Sequence, residues 1–344
     1  MKVLAAMSGG VDSSVAAALL VEEGHDVVGV TLRLWDNPGD SGCCSVAEID
    51  DARRVSHVLG IDHLVWTFID DFDASVVTPY ARAHAEGMTP NPCIECNRHV
   101  KFGRLLQRAT MLGFDAVATG HHARVEPAET GYRLLRGADP LKDQSYVLYV
   151  LGQAELARCR FPVGVLTKAE VRARATALGL PTADKPDSQD VCFVTTAGGR
   201  EALLSSRIPL HAGRVVDRDG AQVGRVDALE LVTVGQRRGL GTGGGARRYA
   251  LSVDPATATV TVGEADDLLA SSVDLTSLSW VDGPVEGPVE VQTSAHGDSV
   301  PATFDGTVVR FGTPQRRAAP GQSVVLYRGD EVLGGGIATR TATP

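Results

Sequence analysis

The sequence predicts an α/β protein: a doubly wound parallel sheet in its first half, followed by small β-rich modules. Three observations carry this. Short apolar runs alternate with helical patterns from the start of the chain to Gly179, as βαβ units require. From Gly213 onward the texture changes to β-rich runs such as RVVD, ATVTVG, TVVRF and SVVLY, divided by turn residues. The chain has 344 residues, 43% hydrophobic and 22% charged, enough for two or three domains with sizeable cores.

The elements follow in order. Residues 3–7 form an apolar strand that turns at Ser8-Gly9-Gly10 into a helical pattern ending near Gly24. Residues 26–32 read as a buried strand. Ser45 with Glu48 has capping-box spacing and opens a helix that stops at Gly60. Residues 63–68 are the next strand, 97–112 a helix stopped by Gly113, and 116–119 a strand ending in Gly120-His121-His122. Thr167 with Glu170 repeats the capping box, and that helix closes at Gly179. Past Thr196 the β-rich runs begin, with a break predicted over 265–277 and a glycine-rich loop at 239–245.

Composition narrows the function classes. Apolar stretches are far shorter than the ~20 residues of a spanning helix, and the N-terminus lacks a secretory apolar region, so a cytoplasmic protein without membrane attachment is expected. Cys43, Cys44, Cys93, Cys96, Cys159 and Cys192 are too few for a disulfide scaffold in a chain of this length. Cys43, Cys44 and Cys159 read as ordinary packed thiols. Net charge is −9, all of it in residues 1–100, where 6 Lys/Arg face 15 Asp/Glu; the remainder balances at 27 against 27. Nonspecific nucleic-acid binding is disfavoured by that total. Local basic groups remain: Arg98/Lys101/Arg104/Arg108, Arg124/Arg133/Arg136, Arg237/Arg238/Arg247/Arg248 and Arg310/Arg316/Arg317/Arg328.

Two patterns carry chemistry. Ser8-Gly9-Gly10-Val11-Asp12-Ser13-Ser14 joins the first strand to the first helix. Glycines let phosphate oxygens approach the backbone, and the helix N-terminus turns its amides and dipole toward an anion. The serines add hydroxyl donors, and Asp12 is a candidate Mg²⁺ ligand. No lysine follows the glycines, so this is not the loop that grips β- and γ-phosphates through G-K-[ST]. The second pattern is Cys93-x-x-Cys96 ahead of Arg98, Lys101 and Arg104, with Cys192 far downstream in DSQDVCF. A helix N-terminus and nearby cations are expected to lower the pKa of both thiols of the pair. A lone C-x-x-C is ambiguous between zinc, redox chemistry and packing, and no second one completes a zinc site.

SGGVDSS is similar to the PP-loop of the ATP pyrophosphatase superfamily, whose members split ATP between the α- and β-phosphates. Together with TPNPCIECNRHVKFG (89–103), ATGHHAR (118–124), LLRGADPLKDQSYVLYVL (134–151), FPVG (161–164), DSQDVCF (187–193), TVGQRRGLG (233–241), PGQSVVLY (320–327) and LGGGI (333–337), the chain resembles the tRNA-specific 2-thiouridylases nearly end to end. The resemblance implies a PP-loop domain of the adenine nucleotide alpha hydrolase type over 1–200, a small central tRNA-binding domain over 205–265 and a C-terminal β-barrel over 270–341.

Residue by residue, it implies ATP on Ala6, Met7, Ser8, Gly9, Gly10, Val11, Asp12 and Ser13, with Leu32 near the adenine and Gly120 lining the site. Cys96 matches the nucleophile, Cys192 the persulfide carrier, and Asn91, Pro92 and Cys93 the segment that meets the target base. His121, Lys142, Asp143, Gln144 and Gln322 match positions touching tRNA. The implied reaction is adenylation of uridine C2, attack by the Cys192 persulfide, and resolution as a Cys96–Cys192 disulfide. Mg²⁺, a sulfur donor such as a cysteine desulfurase relay, and a reductant complete the set. In some family members an Asp stands where this chain has Cys93. A second route therefore stays open, in which Cys93, Cys96 and Cys192 hold an iron–sulfur cluster. Two rivals are weighed against thiolation: another PP-loop amidotransferase or ligase, and an ATP-dependent RNA-binding module without turnover.

Overall fold

In a computed structural model the described residues are 1–35, 45–187, 191–194, 198–243 and 247–339. Cys43, Cys44, residues 188–190 of the DSQDVCF motif, part of the 239–245 loop and residues 340–341 of the expected barrel lie outside them.

The first half contains β1 (Lys2–Ala6), β2 (Asp26–Arg33), β3 (Asp62–Thr67), β4 (Ala116–Ala118), β5 (Ala123–Pro127), β6 (Tyr132–Arg136) and β7 (Cys159–Arg160). Five of these form a parallel sheet in the order β3-β2-β1-β4-β7. Strand order reverses at β1, so a crevice opens beyond the carboxyl ends of β1 and β4. Helices cover both faces. Val11–Glu22, Val46–Leu59 and Lys168–Ala177 pack through Val15, Leu20, Val55 and Val171 on one side. Helices over 69–85 and 92–111 pack through Phe72, Val76, Val100 and Leu105 on the other.

Local signals fix most of these boundaries. Ser45 Oγ accepts from the Glu48 amide at 3.2 Å, and Gly60 ends that helix at φ 68°, where a side chain would be strained. Thr167 and Glu170 close a reciprocal capping box. The thiol helix departs from expectation. It begins at Pro92 rather than 97, because Asn91 Oδ1 accepts from the Cys93 amide at 3.0 Å and Pro92 suits the first helical position. Both C-x-x-C thiols therefore lie inside the helix, whose turns from Cys96 to Arg104 are π-wound. Such widened turns are frequent at functional sites.

The middle region holds β8 (Gly213–Val216), β9 (Gln222–Val226), β10 (Tyr249–Asp254) and β11 (Thr259–Gly263), one sheet in the order β10-β11-β8-β9. The last region holds β12 (Leu269–Trp280), β13 (Gly287–Gln292), β14 (Val300–Phe304), β15 (Val308–Arg316), β16 (Ser323–Arg328) and β17 (Glu331–Ala338). They pair in the order β12-β15-β14-β13-β16-β17, and β12 returns to β17, closing a six-stranded barrel. Closure removes the free sheet edges. No helix among the described residues is long and apolar enough to cross a membrane.

The barrel is sewn to the first domain. The β5–β6 hairpin continues its sheet, with β6 pairing β17 at Leu135↔Glu331 and Leu134↔Val332. Beside that seam Tyr146, Tyr149 and Tyr327 are fully buried. Tyr146 donates to Ser323 O at 2.7 Å, and Arg136 stacks 3.7 Å over Tyr327. Tyr146→Phe removes one buried hydrogen bond and is expected to cost ~1 kcal/mol, whereas Tyr146→Ala empties the seam and should cost ~3–5 kcal/mol. Chemical denaturation measures both, and equal effects would show that the ring does not anchor the seam.

Candidate active site

The phosphate loop sits where β1 meets the Val11–Glu22 helix, at the reversal of strand order. Its backbone is held by its own serines. Ser13 Oγ accepts from the Ser8 amide at 3.1 Å and donates to Gly10 O at 3.0 Å, while Ser14 Oγ donates to the same carbonyl at 2.8 Å. Gly9 adopts φ +76°, and a Cβ there would lie 2.5 Å from Glu48 O. Gly120 approaches from β4 so closely that a Cβ would lie 2.6 Å from the Ser13 amide nitrogen. Neither position accepts a side chain. The first amides of the helix keep no partner within it and face the crevice.

A cleft of about 460 Å³ opens there. Ala6, Met7, Ser8, Gly10, Val11, Asp12, Ser13, Leu32 and Gly120 line it, and Gly9 lies behind the loop with its carbonyl taken by Lys185 at 2.9 Å. His121, Lys142, Asp143 and Gln144 also line it, so the KDQ turn and the phosphate loop share one cavity. Gln322 stands apart: its amide donates to Thr89 O at 2.7 Å, tying the barrel to the chain just before Asn91.

The cleft's charges form one network. Lys168 Nζ reaches both oxygens of Asp12 at 2.7 Å and Asp187 at 2.8 Å. Asp187 also receives Lys142 at 2.8 Å and Arg172 at 2.7 Å. His122, almost fully buried, meets Asp12 at 3.1 Å. Burial alone would raise the pKa of Asp12, but His122 and Lys168 more than reverse this and hold it below the usual carboxylate range. At Asp187 the same contest ends with the carboxyl pulled down to about 2 by Lys142 and Lys168. Lys185 adds a second clamp, reaching Asp51 at 2.7 Å and Glu48 at 3.3 Å. Sequence reasoning missed Lys168 and Lys185. Lys168 follows the cap Thr167 and Lys185 precedes the DSQDVCF motif, but only the fold brings them to residues 156 and 176 positions away.

Asp12 is thus occupied by Lys168 and His122, and no group of three or more His, Cys, Asp or Glu among the described residues could hold a metal. Asp12 nevertheless lines the cleft as a carboxylate of the kind Mg²⁺ uses, with phosphate oxygens and water completing its shell. Cys93, Cys96 and Cys192 are not gathered as cluster ligands.

The neutral side of the cleft is His121. Its Nδ1 pairs with Thr119 Oγ1 at 2.7 Å, and Phe102 and Phe161 pack on its ring at 6.0 and 5.8 Å. Burial, then the charge of Lys101, pushes its pKa well below the usual value, so the ring is uncharged at neutral pH.

The thiols lie beyond the cleft wall. Cys96 is buried in the apolar cluster beneath the sheet, and Cys192 packs against that same cluster. Phe193 anchors the Cys192 segment, meeting Phe72 edge-on at 5.4 Å and Tyr80 at 5.7 Å. The Cys96 helix also reaches the cleft, through Lys101. Cys93 is exposed, and partial desolvation raises its thiol pKa against the opposing pull of Lys101, in place of the lowering expected from its position at a helix start. Asn91 and Pro92 shape this helix start and do not line the nucleotide cleft.

Three family models match in order: a "tRNA methyl transferase HUP domain" over residues 1–196, a "tRNA methyl transferase PRC-barrel domain" over 201–264 and an "Aminomethyltransferase beta-barrel domain" over 271–338. The chain is 49% identical over 352 residues to the tRNA-specific 2-thiouridylase MnmA of Chloroflexus aurantiacus, covering 98% of both chains. It is 48% identical over 360 residues to that of Mycobacteroides abscessus, covering 99% of this chain and 100% of the other. Among solved structures, the U34-tRNA thiolase NcsA from Methanococcus maripaludis with its [4Fe-4S] cluster aligns with TM-score 0.37 and 17% identity, over 60% of this chain and 64% of that one. On near-complete coverage at close to half identity, the chain belongs to the tRNA-specific 2-thiouridylase family.

Proposed function

We propose that this chain is an ATP-dependent tRNA uridine 2-sulfurtransferase acting on the wobble uridine. The observation that carries the reading is the helix over 92–111. One of its side chains, Lys101, lines the nucleotide cleft, while Cys96 on the same helix packs in the cluster that holds Cys192. A cleft suited to polyphosphate and a pair of thiols joined by one rigid element suit adenylation followed by sulfur transfer. Methyl transfer, the reaction in the family models' description, would use neither.

In this reading ATP lies along the loop from Ala6 to Ser13, with Leu32 on the adenine side and the amides at the start of the Val11–Glu22 helix on the phosphates. The uridine C2 oxygen attacks the α-phosphorus, the α–β bridging bond breaks and pyrophosphate leaves. Lys101, Lys142, Lys168 and Lys185 line the cleft, and these cations balance the departing charge. Cys192 carries a persulfide supplied by an upstream donor, a cysteine desulfurase or its relay. Its terminal sulfur bonds to C2 and AMP departs. The Cys96 thiolate then attacks Cys192 Sγ. The S–S bond to the base breaks, 2-thiouridine is released, and Cys96 and Cys192 are left as a disulfide for an external thiol to reduce.

Asn91, Pro92 and Cys93 meet the target base, and His121, Lys142, Asp143, Gln144 and Gln322 meet the tRNA. Asp143 contributes mainly by shaping the turn, since its carboxylate is taken by Arg136 at 2.9 Å and by the Gly137 and Ser145 amides. The acidic total is compatible with tRNA because the net negative charge lies in residues 1–100 and the rest of the chain balances. Arg316 donates to Gly235 O at 2.7 Å beside the exposed Arg237 and Arg238, joining barrel and central domain into one basic flank. The disulfide route is preferred to the cluster route because the three thiols do not converge as metal ligands.

The reading is tested by pyrophosphate and AMP release from ATP in the presence of unmodified tRNA and a persulfide donor. Cys192→Ser should abolish 2-thiouridine formation while tRNA affinity stays within about tenfold, ~1.4 kcal/mol; a larger affinity loss would contradict its role as sulfur carrier. Cys93→Ala should yield a colourless, active enzyme. A brown protein that loses both colour and activity on this change would establish the cluster route instead. Lys168→Ala should slow pyrophosphate release by about a hundredfold or more, the scale of losing a charge-stabilising donor. Release at the unaltered rate would remove Lys168 from the phosphate site.

A further inference from the structure

The nucleotide cleft is built from the first domain except at one point. Among the described residues that line it, His296 alone comes from the barrel. It stands in the β13–β14 connection, inside a turn that the Gly297 amide closes on Ser294 O at 3.2 Å. His296 is exposed, and its imidazole makes no hydrogen bond or ion pair among the described residues.

The turn that carries it is braced from beneath. Gln292, 4% exposed at the end of β13, donates from Nε2 to Ser294 O at 2.9 Å and to Ala295 O at 3.4 Å. Its Oε1 accepts from Arg136 Nη1 at 3.0 Å, and the same nitrogen donates to Asp143 at 2.9 Å. Asp143 lines the cleft, whereas Arg136 and Gln292 do not. A chain of hydrogen bonds thus leaves the cleft at Asp143 and returns to it at the His296 turn. Its middle is rigid, because Arg136 is stacked on Tyr327 and Gln292 is buried. Satisfied buried networks of this kind hold one geometry.

The brace also fixes which part of the cleft the imidazole reaches. Asp143 follows Lys142, and from Lys142 ion pairs run to Asp187, on to Lys168 and then to Asp12 in the phosphate loop. His296 therefore belongs to the cationic side of the cleft. An imidazole presents an N–H donor in either tautomer, and phosphate oxygens accept.

We propose that His296 is a phosphate-contacting residue: the barrel delivers its imidazole to the polyphosphate of a nucleotide on the phosphate loop, and Gln292 and Arg136 are its positioning residues. The proposal rests on the sulfurtransferase reading for the identity of that nucleotide. It adds that the nucleotide site is complete only when the barrel is docked on the first domain.

The test is calorimetric titration of the full-length chain with three probes: α,β-methylene ATP, inorganic pyrophosphate and AMP. His296→Ala should weaken the analogue and pyrophosphate about fivefold or more, the scale of one hydrogen bond at a solvent-open site, and AMP by less than about twofold. His296→Asn, which keeps a side-chain N–H, should recover part of the loss. Gln292→Leu should weaken the analogue in the same direction although it touches no ligand. Combined with His296→Ala it should cost nothing further, since it acts only through that imidazole. Gln292→Glu keeps the acceptor for Arg136 but cannot donate to the turn, and it serves if the leucine variant does not fold. Losses that add, or that fall equally on AMP, would show a merely structural role and overturn the brace. Analogue and pyrophosphate bound alike by His296→Ala and the unaltered chain overturn the proposal and leave the sulfurtransferase reading standing. So does a variant that loses affinity for tRNA alone, which would place the turn on RNA. A chain that binds no analogue overturns both.

Discussion

Lys168 holds the site together because it answers two carboxylates from different parts of the chain, Asp12 in the phosphate loop and Asp187 in the segment leading to Cys192. Its side chain is nearly buried, at 12% exposure. Asp12 also has His122 and Asp187 also has Lys142 and Arg172, but Lys168 without its carboxylates would be a largely buried charge without a partner, which costs several kcal/mol in protein interiors. The trio is stable only when the 168–177 helix, the 11–22 helix and the 185–187 segment come together. The sheet makes that meeting obligatory. Reversal of strand order at β1 leaves a crevice, the helices start at its rim, and Gly9 and Gly120 let backbones approach where a side chain would collide.

The same crevice separates two chemistries that need different surroundings. Anion binding wants amides, lysines and water access. Thiols kept from oxidation want apolar cover. One helix serves both, with Lys101 toward the cleft and Cys96 in the cluster of Phe72, Val100 and Leu105. Its π-wound turns widen the helix over this stretch, and Asn91 with Pro92 fixes where it starts. Partial desolvation also explains why the exposed Cys93 thiol is less acidic than its position at a helix start suggests, since it outweighs the pull of Lys101.

What could be read from the sequence was local. Ser45 with Glu48, Thr167 with Glu170, Gly60 and the serine-glycine loop each speak through residues a few positions apart, and the alternation of apolar runs gives the parallel sheet. Three features depended on distance. The 69–85 helix opens on Phe68 without a side-chain cap, so no boundary signal marks it. The β5–β6 hairpin looks like a surface excursion of the first domain, yet it extends the barrel's sheet by pairing with β17 about two hundred residues later. Lys168 and Lys185 look like solvated lysines until the fold brings Asp12, Asp187 and Asp51 to them. Sequence periodicity reports which face is buried and is silent about which distant charge will be there.

In the proposed chemistry, ATP split in the phosphate-loop cleft activates a tRNA uridine for sulfur carried by Cys192. Its most direct test is nucleoside mass spectrometry of bulk tRNA from a strain lacking this gene, with and without the gene restored. Loss of 2-thiouridine derivatives in the deletion, with recovery by the unaltered gene but not by one encoding Cys192→Ser, is the predicted result. Undiminished 2-thiouridine in the deletion strain would contradict the claim.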